Sequence, residues 1–110
     1  MVHGDIKPEN VLVNSYNWLL LSDIATAKPV YCMDDNLEAY NMFFGYLDNN
    51  ERCYLAPERW RSPPTNISTE NAGAELHKPM DIFSLGCVIA EILMDEPLFN
   101  LVKLNGFRKD

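Results

Sequence analysis

The chain has 110 residues, of which 47% are hydrophobic and 23% charged, and its formal net charge is −7. This length and composition favour one folded domain with a modest core and argue against a disordered chain. The acidic balance argues against a nucleic-acid-binding surface, because phosphate recognition needs clustered Lys and Arg. No apolar run is long enough to span a bilayer, so we expect a soluble intracellular protein.

The chain opens on a polar stretch, HGDIKPEN, which runs from His3 to Asn10 and precedes the apolar residues Val11–Val13. It combines a histidine, two acids, a lysine and an amide. A solvated loop is the simplest interpretation of such a stretch, and a catalytic loop is the alternative. We call residues 3–10 the opening loop.

A β-hairpin is predicted directly after the opening loop. The apolar runs 11–13 and 18–21 indicate two short strands, and the turn-forming residues 14–17 lie between them. Pairing of the strands brings together the residues just outside the two ends of the hairpin. Those residues are Asn10 and Asp23.

The middle of the chain has weak periodicity. We expect a loop over residues 31–35 and a short helix over 36–44, with aromatic residues on one side. Residues 62–77 are predicted to form a flexible insert, since the part from Ser62 to Ala74 is rich in Pro, Ser, Thr and Asn. The three cysteines in the chain, an odd number without CxxC spacing, indicate buried or half-buried free thiols in a reducing compartment.

The strongest helix is predicted over Met80–Met94. It has almost no polar face, which is typical of a helix buried in the centre of a core. Such a helix needs more chain around it than this sequence offers. A second, short helix is predicted over 98–107.

The residues that the hairpin brings together have the chemistry of phosphoryl transfer. Asn10 and Asp23 could supply oxygen ligands to one Mg²⁺. Asp5 could accept a proton from an attacking hydroxyl, and Lys7 could neutralise a transferred phosphoryl group. This set of a base, a cation and two metal ligands predicts phosphoryl transfer from a triphosphate that Mg²⁺ holds.

Four motifs, in this order, carry a resemblance to protein kinases. The opening loop resembles the catalytic loop, HRDxKxxN, and Ser22–Ala25 (SDIA) stands where kinases have the DFG motif. Ala56–Glu58 is the APE motif, and Asp81–Gly86 (DIFSLG) resembles the start of the central helix of the C-lobe. The implied fold is α+β and mainly helical. It is a partial protein-kinase C-lobe over residues 1–110 that comprises the catalytic loop, a small hairpin, an activation segment and a central buried helix, without the N-lobe.

The resemblance narrows to one family on four longer segments: HGDIKPENVLV, NWLLLSDIATAKPVY, CYLAPERW and AELHKPMDIFSLGCVIAEI. They are similar to the regulatory serine/threonine kinase subunits of the class III phosphatidylinositol 3-kinase complex, which act in autophagy and endosomal or vacuolar sorting. The resemblance implies ATP, a protein substrate, the lipid kinase and its accessory autophagy subunits as partners, and no nucleic acid. It implies a cytoplasmic location, at endosomal, vacuolar or autophagosomal membranes only through the complex.

The resemblance also implies a role for each site residue. Asp5 would be the catalytic base, Lys7 the phosphate-facing cation, and Asn10 and Asp23 the ligands of Mg²⁺ and, through it, of ATP. The remaining residues would be structural: Glu58 would hold the end of the activation segment, and the loop would be anchored by His3 and by Asp81, which would receive backbone hydrogen bonds from it.

Departures from the kinase pattern support other interpretations. Gly4 replaces the Arg that pairs with a phosphorylated activation loop, and Ile24 and Ala25 replace Phe and Gly. The sequence contains neither a glycine-rich loop nor a Val-Ala-Ile-Lys strand, so we expect an excised piece that is inactive alone. One alternative is a non-catalytic scaffold that binds the lipid kinase. Another is a protein kinase unrelated to lipid signalling.

Overall fold

The fold is that of a computed structural model, which describes residues 1–25, 27–45, 52–61 and 75–109. Most of the predicted flexible insert, residues 62–74, lies outside these ranges. Within the described ranges, none of the helices has the length and continuous hydrophobicity that a bilayer span requires.

The predicted hairpin is confirmed. Strands β1 (Val11–Val13) and β2 (Leu19–Leu21) pair antiparallel, and β2 begins one residue later than predicted. The side-chain oxygen of Asn14 accepts hydrogen bonds from the backbone N–H groups of Tyr16 (2.9 Å) and Trp18 (3.0 Å). The turn is therefore stabilised by a local side chain, as its composition indicated.

A second, two-stranded sheet corrects the prediction for residues 31–35. Instead of a loop throughout, β3 (Cys32–Met33) pairs in parallel with β4 (Trp60–Arg61). A two-residue strand has no readable periodicity, and its partner is distant in the sequence. Local patterns could not predict this pairing.

Helix α1 (Leu37–Phe43) confirms the helix predicted over 36–44. The Asn36 side chain caps it by accepting a hydrogen bond from the backbone N–H of Ala39, at 3.2 Å. Its inner side carries Tyr40, and the residue after the helix, Phe44, is also buried. The helix is thereby held against the main core, which contains these residues: Cys32, Tyr40, Phe44, Cys53, Leu55, Trp60, Leu101 and Leu104.

Helix α2 (Lys78–Met94) is the long helix that the sequence predicted, starting slightly earlier. The prediction that it is a central buried helix is wrong for this chain. Its buried residues lie on one face, and Ile82 and Leu93 on the opposite face are 67% and 79% exposed. The described residues supply one layer of packing against it, and none of them forms a second layer on the opposite face. Helix α3 (Leu101–Lys109) is the second predicted helix, but it begins and ends later than the predicted range 98–107.

Candidate active site

The opening loop is anchored on the first turn of α2. The carboxylate of Asp81 accepts hydrogen bonds from the backbone N–H groups of His3 (2.6 Å) and Gly4 (2.8 Å). Bonds to a charged acceptor are stronger than those between neutral groups. These two bonds are of the kind that the predicted role of Asp81 requires, and the role itself stays a prediction.

The ring of His3 makes two contacts with the backbone, and the structural role expected of it stays a prediction. Its Nδ1 accepts a hydrogen bond from the backbone N–H of Asp5 (3.2 Å), and its Nε2 lies 2.8 Å from the carbonyl oxygen of Ser22. The Asp5 contact requires a lone pair on Nδ1, so the hydrogen sits on Nε2 and is donated to Ser22. The buried ring therefore connects the opening loop to the residue that follows β2.

Asp5 lies at the centre of a buried charge cluster. Its side chain is 3% exposed, and its Oδ2 atom contacts the ammonium group of Lys28, Nδ2 of Asn10 at 3.2 Å and Nζ of Lys7 at 3.5 Å. A carboxylate out of water is stable only when opposite charges and hydrogen bonds replace the lost hydration. Two ammonium groups and one amide do so here.

Lys7 links this cluster to α1. Its Nζ donates a hydrogen bond to the carbonyl oxygen of Phe44, at 2.8 Å, and its side chain is 7% exposed. The Nζ atom of Lys28 lies 5.5 Å from the centre of the Phe44 ring, within the range of a cation–π interaction. Phe44, the residue after α1, therefore contacts both lysines that pair with Asp5.

Asn10 belongs to the same buried group, whereas Asp23 does not. Besides its contact with the Asp5 carboxylate, Nδ2 of Asn10 donates to the backbone carbonyl of Asp5 at 2.9 Å. Asp23 is exposed, with a left-handed φ of 57°. The backbone is held by one hydrogen bond before Asp23 and one after it. Ser22 donates to the Asn10 carbonyl (2.9 Å), and Ala25 donates to the His3 carbonyl (2.8 Å).

The donor set fits Mg²⁺ that is bound mainly by phosphate. Mg²⁺ takes one or two protein oxygens and completes its shell with water and phosphate oxygens. Asn10 offers an amide oxygen and Asp23 an exposed carboxylate, and the hairpin brings the backbone of these two residues close together. In the described parts of the chain no group of three or more His, Cys, Asp or Glu side chains could hold a metal ion by itself.

Two functional candidates were missed by the sequence reasoning. Lys28 contacts Asp5, and its position shortly after the SDIA motif was the only available signal. Arg59, which directly follows the APE motif, is 1% exposed and donates to the carbonyl of Gly4 at 2.6 Å. Its neighbour Glu58, for which a structural role was predicted, is exposed, and that role stays a prediction.

Comparison with known proteins identifies the family. The sequence profile described as "protein kinase domain" matches residues 1–109. The chain belongs to the protein kinase domain family. It is 49% identical to the Saccharomyces cerevisiae serine/threonine-protein kinase VPS15 over 100% of this chain and 8% of that relative. The probable serine/threonine-protein kinase vps15 of Dictyostelium discoideum is 44% identical, over 97% of this chain and 5% of the relative.

The VPS15 of Arabidopsis thaliana is also similar, with 44% identity over 97% of this chain and 7% of the relative. The chain therefore spans less than a tenth of the length of these relatives, 8% at most. No solved structure matches the chain. The kinase resemblance seen in the four motifs is confirmed by these matches.

Proposed function

We propose that the chain is the part of a serine/threonine protein kinase C-lobe that carries the catalytic loop and the activation segment. The reaction is transfer of the terminal phosphoryl group of ATP to a Ser or Thr hydroxyl of a protein. The observation that supports this most directly is the buried Asp5, which contacts Lys7 and Asn10 on a loop that Asp81 anchors. The kinase names of the relatives support it independently.

In this mechanism each residue has a separate task. Asp5 accepts the proton of the substrate hydroxyl, and Lys7 balances the negative charge of the phosphoryl group in transfer. Asn10 and Asp23 would hold Mg²⁺, which when bound would supply charge neutralisation on the phosphates of ATP. Because Lys28 pairs with the carboxylate of Asp5, it competes with the substrate hydroxyl for that group.

For the whole protein we propose the finer role that the family resemblance implied. It would be the regulatory serine/threonine kinase subunit of a class III phosphatidylinositol 3-kinase complex, acting in autophagy and endosomal or vacuolar sorting. Its partners would be the lipid kinase and the accessory autophagy subunits. Its location would be cytoplasmic, and it would reach endosomal, vacuolar or autophagosomal membranes only through the complex. The likeness to VPS15 proteins along almost the entire chain supports this proposal.

A chimaera tests the catalytic proposal. In it, this chain replaces the matching segment of the Saccharomyces relative, with which it is 49% identical. We expect ATP-dependent phosphorylation of a protein substrate, and a loss of about 10²- to 10⁴-fold in Asp5→Asn, the range that a general base contributes. Asp35→Asn, at an exposed turn position, is the matched control and should keep full activity. An Asp5→Asn chimaera as active as its parent would contradict the proposal.

A non-catalytic scaffold is the second candidate. It is favoured by the pairing of Asp5 with two ammonium groups, which occupy the carboxylate that would act as base. It is also favoured by the departures from the kinase motifs at Gly4, Ile24 and Ala25. In that case the chimaera would co-purify with the lipid kinase, show no turnover, and be unaffected by Asp5→Asn. The isolated 110-residue chain is expected to show no useful turnover under either proposal.

A further inference from the structure

We propose that Arg59 is a positioning residue that holds the opening loop and the segment Lys28–Val30 in place without a phosphate group. In the kinase motif an Arg at the position of Gly4 would bind a phosphorylated activation loop. Here a guanidinium group from a distant part of the chain bonds to backbone carbonyls. The consequence for catalysis rests on the proposed kinase function, and the effect on the loop does not.

The contacts of Arg59 join two segments that are far apart in the sequence. Its Nη1 donates to the carbonyl of Gly4 at 2.6 Å, its Nε to Val30 at 2.8 Å, and its Nη2 to Pro29 at 3.1 Å. The guanidinium carbon lies 5.0 Å from the centre of the Phe44 ring. A planar fork with fixed donors suits three carbonyls at once, and a lysine ammonium could not reproduce this geometry.

These carbonyls flank both members of the Asp5–Lys28 pair. The carbonyl of Gly4 belongs to the peptide unit that leads into Asp5, and Pro29 follows Lys28 directly. By holding both peptide segments, Arg59 sets the position from which each charged side chain reaches the other. Loss of the Arg59 guanidinium group should therefore increase the mobility of the Asp5–Lys28 pair more than that of the rest of the fold.

The backbone at position 4 disfavours an Arg that could take over this role. Gly4 has a φ of +82°, and a Cβ atom there would lie 2.6 Å from Cδ1 of Leu76 and 3.1 Å from Cβ of Ala25. A side chain at this position would therefore be strained by the positive φ, and the side chain of Leu76 would have to move. Within the described residues, none of the ion pairs involves Arg59, and its buried guanidinium group is hydrogen-bonded by the three carbonyls and lies against the Phe44 ring.

The test compares Arg59→Lys with Arg61→Lys in the unphosphorylated 110-residue chain. Arg61 is exposed and stacks on the Tyr31 ring at 4.0 Å, so its replacement is a matched loss of one guanidinium group. Amide hydrogen exchange is the measurement. For Arg59→Lys we expect exchange of the Asp5 and Val30 amides to increase at least tenfold while that of Val88 in α2 is unchanged. Arg61→Lys should match the parent chain throughout.

Two results would overturn the proposal: unchanged exchange at Asp5, or an increase of equal size at every amide including Val88. Arg59→Gln is the second variant, because a neutral planar amide keeps donors without burying a charge. It should give the same selective increase if Arg59→Lys does not fold. In the active chimaera, Arg59→Lys should lower kcat at least tenfold with KM for ATP unchanged, because displacement of the loop that positions Asp5 outweighs the release of its carboxylate from Lys28. An inactive chimaera would count against the kinase proposal alone, since the exchange pattern does not depend on turnover.

Discussion

The anchoring of the opening loop by Asp81 allows a quantitative prediction. Replacing Asp81 with Ala removes the acceptor of two backbone hydrogen bonds, from His3 at 2.6 Å and Gly4 at 2.8 Å. A hydrogen bond to a charged group contributes roughly 1.5–3 kcal/mol, and water that enters the vacated space recovers part of this. We therefore expect the free energy of unfolding to fall by about 3 kcal/mol. Domains of this size have a total stability of only about 5–15 kcal/mol, so the loss should be readily measurable.

The assay is urea unfolding followed by far-ultraviolet circular dichroism, combined with amide exchange at His3 and Gly4. Asp81→Asn should cost less, about 2 kcal/mol, because it keeps one acceptor oxygen but presents an NH₂ group to the other N–H. Asp35→Ala, at an exposed position, is the control and should change stability by less than about 0.5 kcal/mol. The reasoning is refuted if Asp81→Ala behaves like this control and both amides exchange as in the parent chain.

The further predictions concern buried thiols and glycines. Burial raises the pKa of Cys32 and of Cys87 to about 11, so both should resist iodoacetamide at pH 8 until the chain unfolds. When the chain unfolds, each thiol returns to its ordinary pKa and releases its proton above pH 9. Urea titrations should therefore show the free energy of unfolding falling between pH 9 and 11, by about 1 kcal/mol per thiol at pH 10. Thermal unfolding should show that Gly4→Ala destabilises the chain by roughly 1–3 kcal/mol, because φ is positive there and the new Cβ would contact Leu76. Gly86→Ala should instead stabilise α2 by about 0.5–1 kcal/mol, because the added Cβ would meet open space.

Local signals in the sequence were sufficient for the hairpin and the helices. The turn residues around Asn14 and the cap at Asn36 act on backbone groups a few residues away, so their effect can be read directly from the sequence. The pairing of β1 with β2 followed from the same signals and brought Asn10 close to the SDIA motif. The anchoring by Asp81 was also expected, but only because the motif order resembled that of protein kinases.

Other features were decided by the tertiary structure alone. The β3–β4 pairing, the contact of Lys28 with Asp5 and the fork of Arg59 each join segments whose approach depends on the path of the chain between them. Periodicity showed that α2 is apolar, but not whether a second layer of protein covers it. Exposure depends on what packs against a surface, and a helix sequence contains no information about its distant neighbours. The chain's own residues therefore determined its local elements and chemistry, while long-range packing decided which side chains are buried around Asp5.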